Sequence, residues 1–80
     1  MYKVFMLNDD YSTMDFVIRM LESVFDKSPA EATKIMLSVH KQGRGMCGVY
    51  TKQIAEAKID LVHQNGKIDG HPLKCVMEKV

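Results

Sequence analysis

Three acceptor-bearing side chains stand together at Asn8, Asp9 and Asp10, and a methionine, Met14, follows four residues after the last of them. A similar pairing occurs later, where Met36 and His40 are one helical turn apart and share a face on any helix that carries them. Amide and carboxylate oxygens and a neutral imidazole nitrogen all accept hydrogen bonds. Such a set suits a ligand that only donates. A flexible thioether beside it suits apolar groups of several shapes. By themselves these residues suggest a binding module with acceptors beside an apolar surface. The plainer readings are a solvated turn for Asp9 and Asp10, and a helix-end cap on backbone carbonyls for His40.

Other chemistries fare worse. Ser12, His40 and Asp10 can be drawn as a hydrolytic triad, but no nucleophile-elbow motif surrounds Ser12, whose position reads as a helix cap. His40, His63, His71, Cys47 and Cys75 show neither C-x-x-C nor H-x-x-x-H spacing, so no metal site is expected. "GRGMCG" has neither the P-loop lysine nor the dinucleotide-binding glycine spacing, and no cofactor is expected. Most of the seven methionines fall in core periodicity; Met14 and Met36 stand out because each accompanies polar acceptors.

The elements that position these residues read as follows. "YKVFML" (Tyr2–Leu7) is a short apolar strand ended by Asn-Asp-Asp. Ser12 is the expected N-cap of a first helix, with Asp15 completing a capping box. Met14, Val17, Ile18, Leu21, Val24 and Phe25 make its apolar face, and it ends near Phe25. Ser28, Pro29 and Glu31 announce a second helix with Ala32, Ile35, Met36 and Val39 inward and Gly43 as its stop. A strand over Gly45–Tyr50 leads to a third helix capped by Thr51, with Asn65–Gly66 expected to end it. A last strand covers Leu73–Glu78, and the connection 66–72 is the one loop with room for function. The order β-α-α-β-α-β predicts an α/β (α+β) two-layer sandwich, a three-stranded sheet under three helices.

Size and composition permit one domain, residues 1–80. At 46% apolar and 26% charged the chain has the balance of a globular protein. Eleven basic residues against ten acidic ones leave no electrostatic footprint for nucleic acid. No apolar run approaches the roughly 20 residues that span a bilayer, so no membrane contact is expected. Cys47 and Cys75 sit in apolar strand patterns and read as small core residues in a reducing, cytosol-like compartment.

The stretches "YKVFMLNDDYSTMDFV", "ATKIMLSVHKQGRGMCGVYT" and "HPLKCVMEK" resemble, in register over essentially the whole chain, the ClpS adaptors of the Clp protease. The resemblance implies a non-enzymatic adaptor. It would bind N-degrons, substrates beginning with Leu, Phe, Tyr or Trp, and hand them to the ClpA unfoldase, which feeds the ClpP peptidase. Carried over by position, Asn8 and His40 would bond the substrate α-amino group, with Asp10 acting through water. Asp9 would hold the first peptide unit and the loop. Met6, Leu7, Ser12, Met14, Val17, Met36, Val39 and Leu73 would wall the side-chain pocket, with Met14 as the gate against β-branched residues. Gln53, Glu56 and Lys58 are the implied docking residues for the unfoldase N-terminal domain.

Many members have Thr-Pro where this chain has Ser12-Thr13, and a familiar member has Glu where Gln53 stands. Members also carry a delivery extension ahead of the first strand, so the 80 residues correspond to the core domain. A monomer in the bacterial cytoplasm is expected, or a plastid-type form stripped of a transit peptide. The competing reading is an interaction module similar to the C-terminal domain of the ribosomal stalk protein, with a partner face and no degron pocket.

Overall fold

The computed structural model describes residues 1–80, with elements β1 (Tyr2–Leu7), α1 (Met14–Ser23), α2 (Pro29–Gln42), β2 (Arg44–Tyr50), α3 (Lys52–Asp69) and β3 (Lys74–Lys79). Apolar alternation makes β1 the centre of an antiparallel sheet ordered β2-β1-β3. Val4 and Met6 are fully buried, whereas Lys3, one residue before Val4, faces water and Phe5, between Val4 and Met6, is half-buried. The predicted order and the two-layer α/β architecture are those found.

The register shifts between Val4 and Phe5 opposite β2, which leaves Cys47 as the extra residue. Beyond this bulge the strand changes phase. Cys47 is buried, Val49 points out, and Tyr50 packs back onto the core. The helices cover one sheet face with Phe16, Val17, Met20 and Leu21 of α1, Ala32, Met36 and Val39 of α2, and Ala55 and Val62 of α3. Burial of each large apolar side chain in this layer contributes about 1.5–3 kcal/mol. On the opposite face Phe5 is shielded by Arg44, whose guanidinium lies 4.0 Å from the ring centroid and also pairs with Glu78 at 2.7 Å.

Local signals account for most helix ends. Ser28 and Glu31 form the expected capping box, Thr51 caps α3, and Gly43 ends α2 in the left-handed conformation at φ 89°. Two expectations are corrected. The N-cap of α1 is Thr13, whose Oγ1 accepts from the Phe16 N–H at 3.1 Å, and not Ser12. The carboxylate of Asp9 explains the shift: its Oδ1 accepts from the N–H groups of Tyr11 (2.8 Å) and Ser12 (2.7 Å), holding Ser12 in the preceding turn.

The second correction is that α3 runs through Asn65–Gly66 to Asp69 and is ended by Gly70. Asn65 stays helical by donating its amide to the Leu61 carbonyl at 2.8 Å. The connection expected at 66–72 therefore shrinks to 70–73.

The end of α1 has no basic residue of its own, and Lys58 from α3 supplies one. Its Nζ donates to the Val24 carbonyl at 2.7 Å and lies 5.2 Å and 5.9 Å from the ring centroids of Tyr50 and Phe25.

Candidate functional site

The turn after β1 and the last turns of α2 meet. The Asn8 N–H donates to the Gly43 carbonyl at 3.0 Å, and the Gly43 N–H donates to the Val39 carbonyl at 3.1 Å. Between them lies a cavity of about 340 Å³, lined by Asn8, Asp9, Asp10, Ser12, Thr13, Met14, Val17, Met36, Val39 and His40. Its polar rim is exposed at Asn8, Asp10 and His40, and its floor is buried at Val17, Met36 and Val39. Met14, 54% exposed at the start of α1, also lines the cavity. That volume is at the small end of ligand pockets, about 300–1,000 Å³, and suits one side chain with its attached polar group.

Asp9 organises the turn rather than the rim. Burial pushes its carboxyl up, but the Ser12 and Tyr11 N–H groups outweigh this, with further help from the nearby Ser12 hydroxyl and the charge of His71. The net result lies below the ordinary 3.8, so Asp9 is ionised at neutral pH. The Ser12 Oγ is buried and makes no full hydrogen bond. Asp10 and His40 line the same cavity but make no hydrogen bond to this hydroxyl.

Three expected pocket residues do not line this cavity. Met6 is fully buried in the core beneath the sheet's helical layer, and Leu7 is half-buried on β1. Leu73 is 2% exposed and borders a different, larger cleft of about 930 Å³ between the end of α3 and residues 70–74. That cleft lacks the Asn8, Asp10 and His40 acceptors. Thr13, expected only as a departure from the family pattern, caps α1 and also lines the cavity. Of the expected docking residues, Gln53 and Glu56 are exposed on the first turns of α3, while Lys58 is tied to Val24. His63 is also committed: its Nε2 accepts from the Cys75 N–H at 3.1 Å.

The result is a two-layer α/β domain in which one cavity joins polar acceptors to an apolar floor. The model of the family described as ATP-dependent Clp protease adaptor protein ClpS matches residues 1–76. The chain belongs to the ClpS family. The ATP-dependent Clp protease adapter protein ClpS of Ralstonia nicotianae is 53% identical over 79 residues, covering 99% of this chain and 73% of its own. That of Desulfatibacillum aliphaticivorans is 56% identical over 78 residues, 98% of this chain and 75% of its own. The solved structure of Agrobacterium tumefaciens ClpS2 bound to L-phenylalaninamide superposes with a TM-score of 0.92 at 36% identity, covering 96% of this chain and 93% of that one.

Proposed function

We propose that this chain binds proteins and peptides through a free amino terminus and a first residue of Leu, Phe, Tyr or Trp, and presents them to a ClpA-type unfoldase for degradation by ClpP. One observation carries the reading: Asn8, Asp10 and His40 rim the same cavity that Val17, Met36 and Val39 floor. An α-ammonium offers donors only, and these three residues offer an amide oxygen, a carboxylate and an imidazole nitrogen. L-phenylalaninamide, bound by the Agrobacterium relative, has both a free α-amino group and a bulky apolar side chain.

The energetics explain why both halves are needed. Hydrogen bonds to a charged group contribute about 1.5–3 kcal/mol each. Burying a Leu or Phe side chain contributes roughly 1.5–3 kcal/mol more. Association costs several kcal/mol, so either half alone binds poorly, whereas the two together reach the micromolar range, about −8 kcal/mol. An internal leucine lacks the ammonium, and an N-terminal aspartate lacks the apolar side chain. Met14 in the cavity wall narrows entry at the first side-chain carbon and disfavours β-branched residues. The exposed Gln53 and Glu56 on α3 supply a docking surface for the unfoldase on a different element from the cavity.

Fluorescence anisotropy with three peptides tests the reading: Leu-initiated, the same peptide acetylated at its amino terminus, and Gly-initiated. Only the first binds. Equal titration curves for the free and acetylated peptides overturn the amino-terminus role and leave the pocket-free interaction module as the better account.

A further inference from the structure

The cleft of about 930 Å³ between the end of α3 and residues 70–74 plays no part in the reading above. Its walls include Asp60, His63, Lys67, His71 and Lys74. Lys67 and Lys74 are exposed and unpaired: the salt bridges of the structure join Arg19 to Asp69 and Arg44 to Glu78. His63 offers no acceptor to a ligand. Its Nε2 already accepts from the Cys75 N–H at 3.1 Å, so a neutral ring carries its proton on Nδ1. Asp60 is the one carboxylate in the wall.

The cleft adjoins the amino-terminus cavity. Exposed Tyr11 lines the cleft, while Asp10 and Ser12 on either side of it line the cavity. Asp9 Oδ1 accepts from the N–H groups of Tyr11 and Ser12, at 2.8 Å and 2.7 Å, so this one turn is held as the divide between two spaces. The charges differ in sign across it. Asp9 and Asp10 line the cavity without a lysine or arginine, whereas two lysines and a single aspartate line the cleft. An extended chain covers about 3.3–3.6 Å per residue, so about six residues reach roughly 20 Å. The shortest dimension of the molecule is 21 Å. A peptide held by its first residue can therefore cross the turn and lie in the cleft within its next few residues.

We propose that the cleft is a second subsite, taking the stretch of substrate that follows the captured amino terminus, with Lys67 and Lys74 receiving an acidic side chain of that stretch. The inference rests on the amino-terminus reading above and extends it along the ligand. Each exposed ion pair is weak on its own. The first residue, once seated, holds the following stretch at high local concentration, so weak contacts in the cleft add to the affinity without a second association cost. The favoured ligand then has a direction of charge: a cation and an apolar side chain at its start, and a carboxylate several residues on.

The test uses the full 80-residue chain and Leu-initiated peptides that differ only at their fifth and sixth residues: two serines, two glutamates or two lysines. In fluorescence anisotropy the glutamate peptide binds about fivefold tighter than the serine peptide, and the lysine peptide is the weakest. Lys67→Gln combined with Lys74→Gln brings the glutamate-to-serine ratio down to about one. Lys34→Gln combined with Lys79→Gln removes the same charge from residues that line neither space and leaves the ratio as it was. In NMR spectra of the wild type, the backbone signals of Lys67, Gly70 and Lys74 move with the glutamate peptide and stay in place with leucinamide. A wild type that binds none of the three peptides sinks the amino-terminus reading and this inference with it. Equal affinities, or weaker binding of the glutamate peptide, sink this inference alone. So does a preference that survives the loss of Lys67 and Lys74, that falls equally when Lys34 and Lys79 are replaced, or that leaves the cleft signals unmoved.

Discussion

Asn8 and Gly43 are joined by a backbone hydrogen bond of 3.0 Å, so the first residue beyond β1 is fastened to the residue that ends α2. His40 sits in the helical turn just before Gly43. The bond therefore holds the amide-bearing and imidazole-bearing sides of the cavity at a set separation. It joins the end of the central strand to a helix that packs on the neighbouring strand, and both are anchored in the core through Met6, Met36 and Val39.

Gly43→Ala tests that link. At φ 89° an alanine is strained by about 1 kcal/mol, while its Cβ meets nothing within 4 Å. The expected result is an unfolding free energy from urea titration lowered by that amount and a several-fold weaker affinity for a Leu-initiated peptide. Loss of stability with unchanged affinity would show that the strand–helix fastening does not govern the site.

Met14→Ala separates selectivity from stability. Met14 is largely exposed, so the fold loses no more than about 0.5 kcal/mol. Shortening this side chain admits N-terminal Ile and Val, and the ratio of their affinities to that for Leu rises. Unchanged ratios in competition titrations remove Met14 as the gate.

Asp9 gives a pH signature with a definite sign. Its carboxyl in the fold lies below the ordinary 3.8, so the folded state binds this proton less readily than the unfolded chain does. Its contribution is present in full above 3.8 and is lost as the pH falls through the lower folded value. Against Asp9→Asn, the wild type is more stable by about 1 kcal/mol near neutrality, and the gap closes in increasingly acid solution. Urea unfolding of both proteins across that range measures it; a gap independent of pH refutes the assignment.

The two thiols are inert in the native state. Burial pushes the Cys47 thiol up to about 12 and the Cys75 thiol further still. A thiol-selective disulfide reagent modifies neither until the chain unfolds, when both react. Folded values above the ordinary 9.0 also mean that the protein loses stability as the pH rises past 9, where the unfolded chain ionises first. Rapid native labelling at pH 8 would contradict the burial of both strands' inner faces.

Much of this molecule is legible along the chain because the signals are local. The Ser28–Glu31 box, the Thr51 cap and the Gly43 stop each lie within a few neighbouring residues, and each is found where the pattern puts it; the stripe of α1 is met only in part, since Phe16 and Met20 join Val17 and Leu21 inside while Met14 is exposed. Local competition misled twice. Asp9 engages the N–H of Ser12 and moves the cap to Thr13. The turn-prone Asn65–Gly66 pair stays helical because Asn65 bonds back to Leu61 and the His71 loop packs against Gly66.

The acceptor types at Asn8, Asp10 and His40 and the apolar residues beside them are properties of the sequence by itself, and they suggest no more than a binding module. Only the tertiary structure decided that they face one space, that Leu73 borders another cleft, that Lys58 caps α1, and that His71 backs onto Phe16. The physical reason is that caps and periodicity are settled by the backbone's nearest neighbours, whereas the meeting of β1, α2 and the loop after α3 is set by how the helices bury their apolar faces against one sheet.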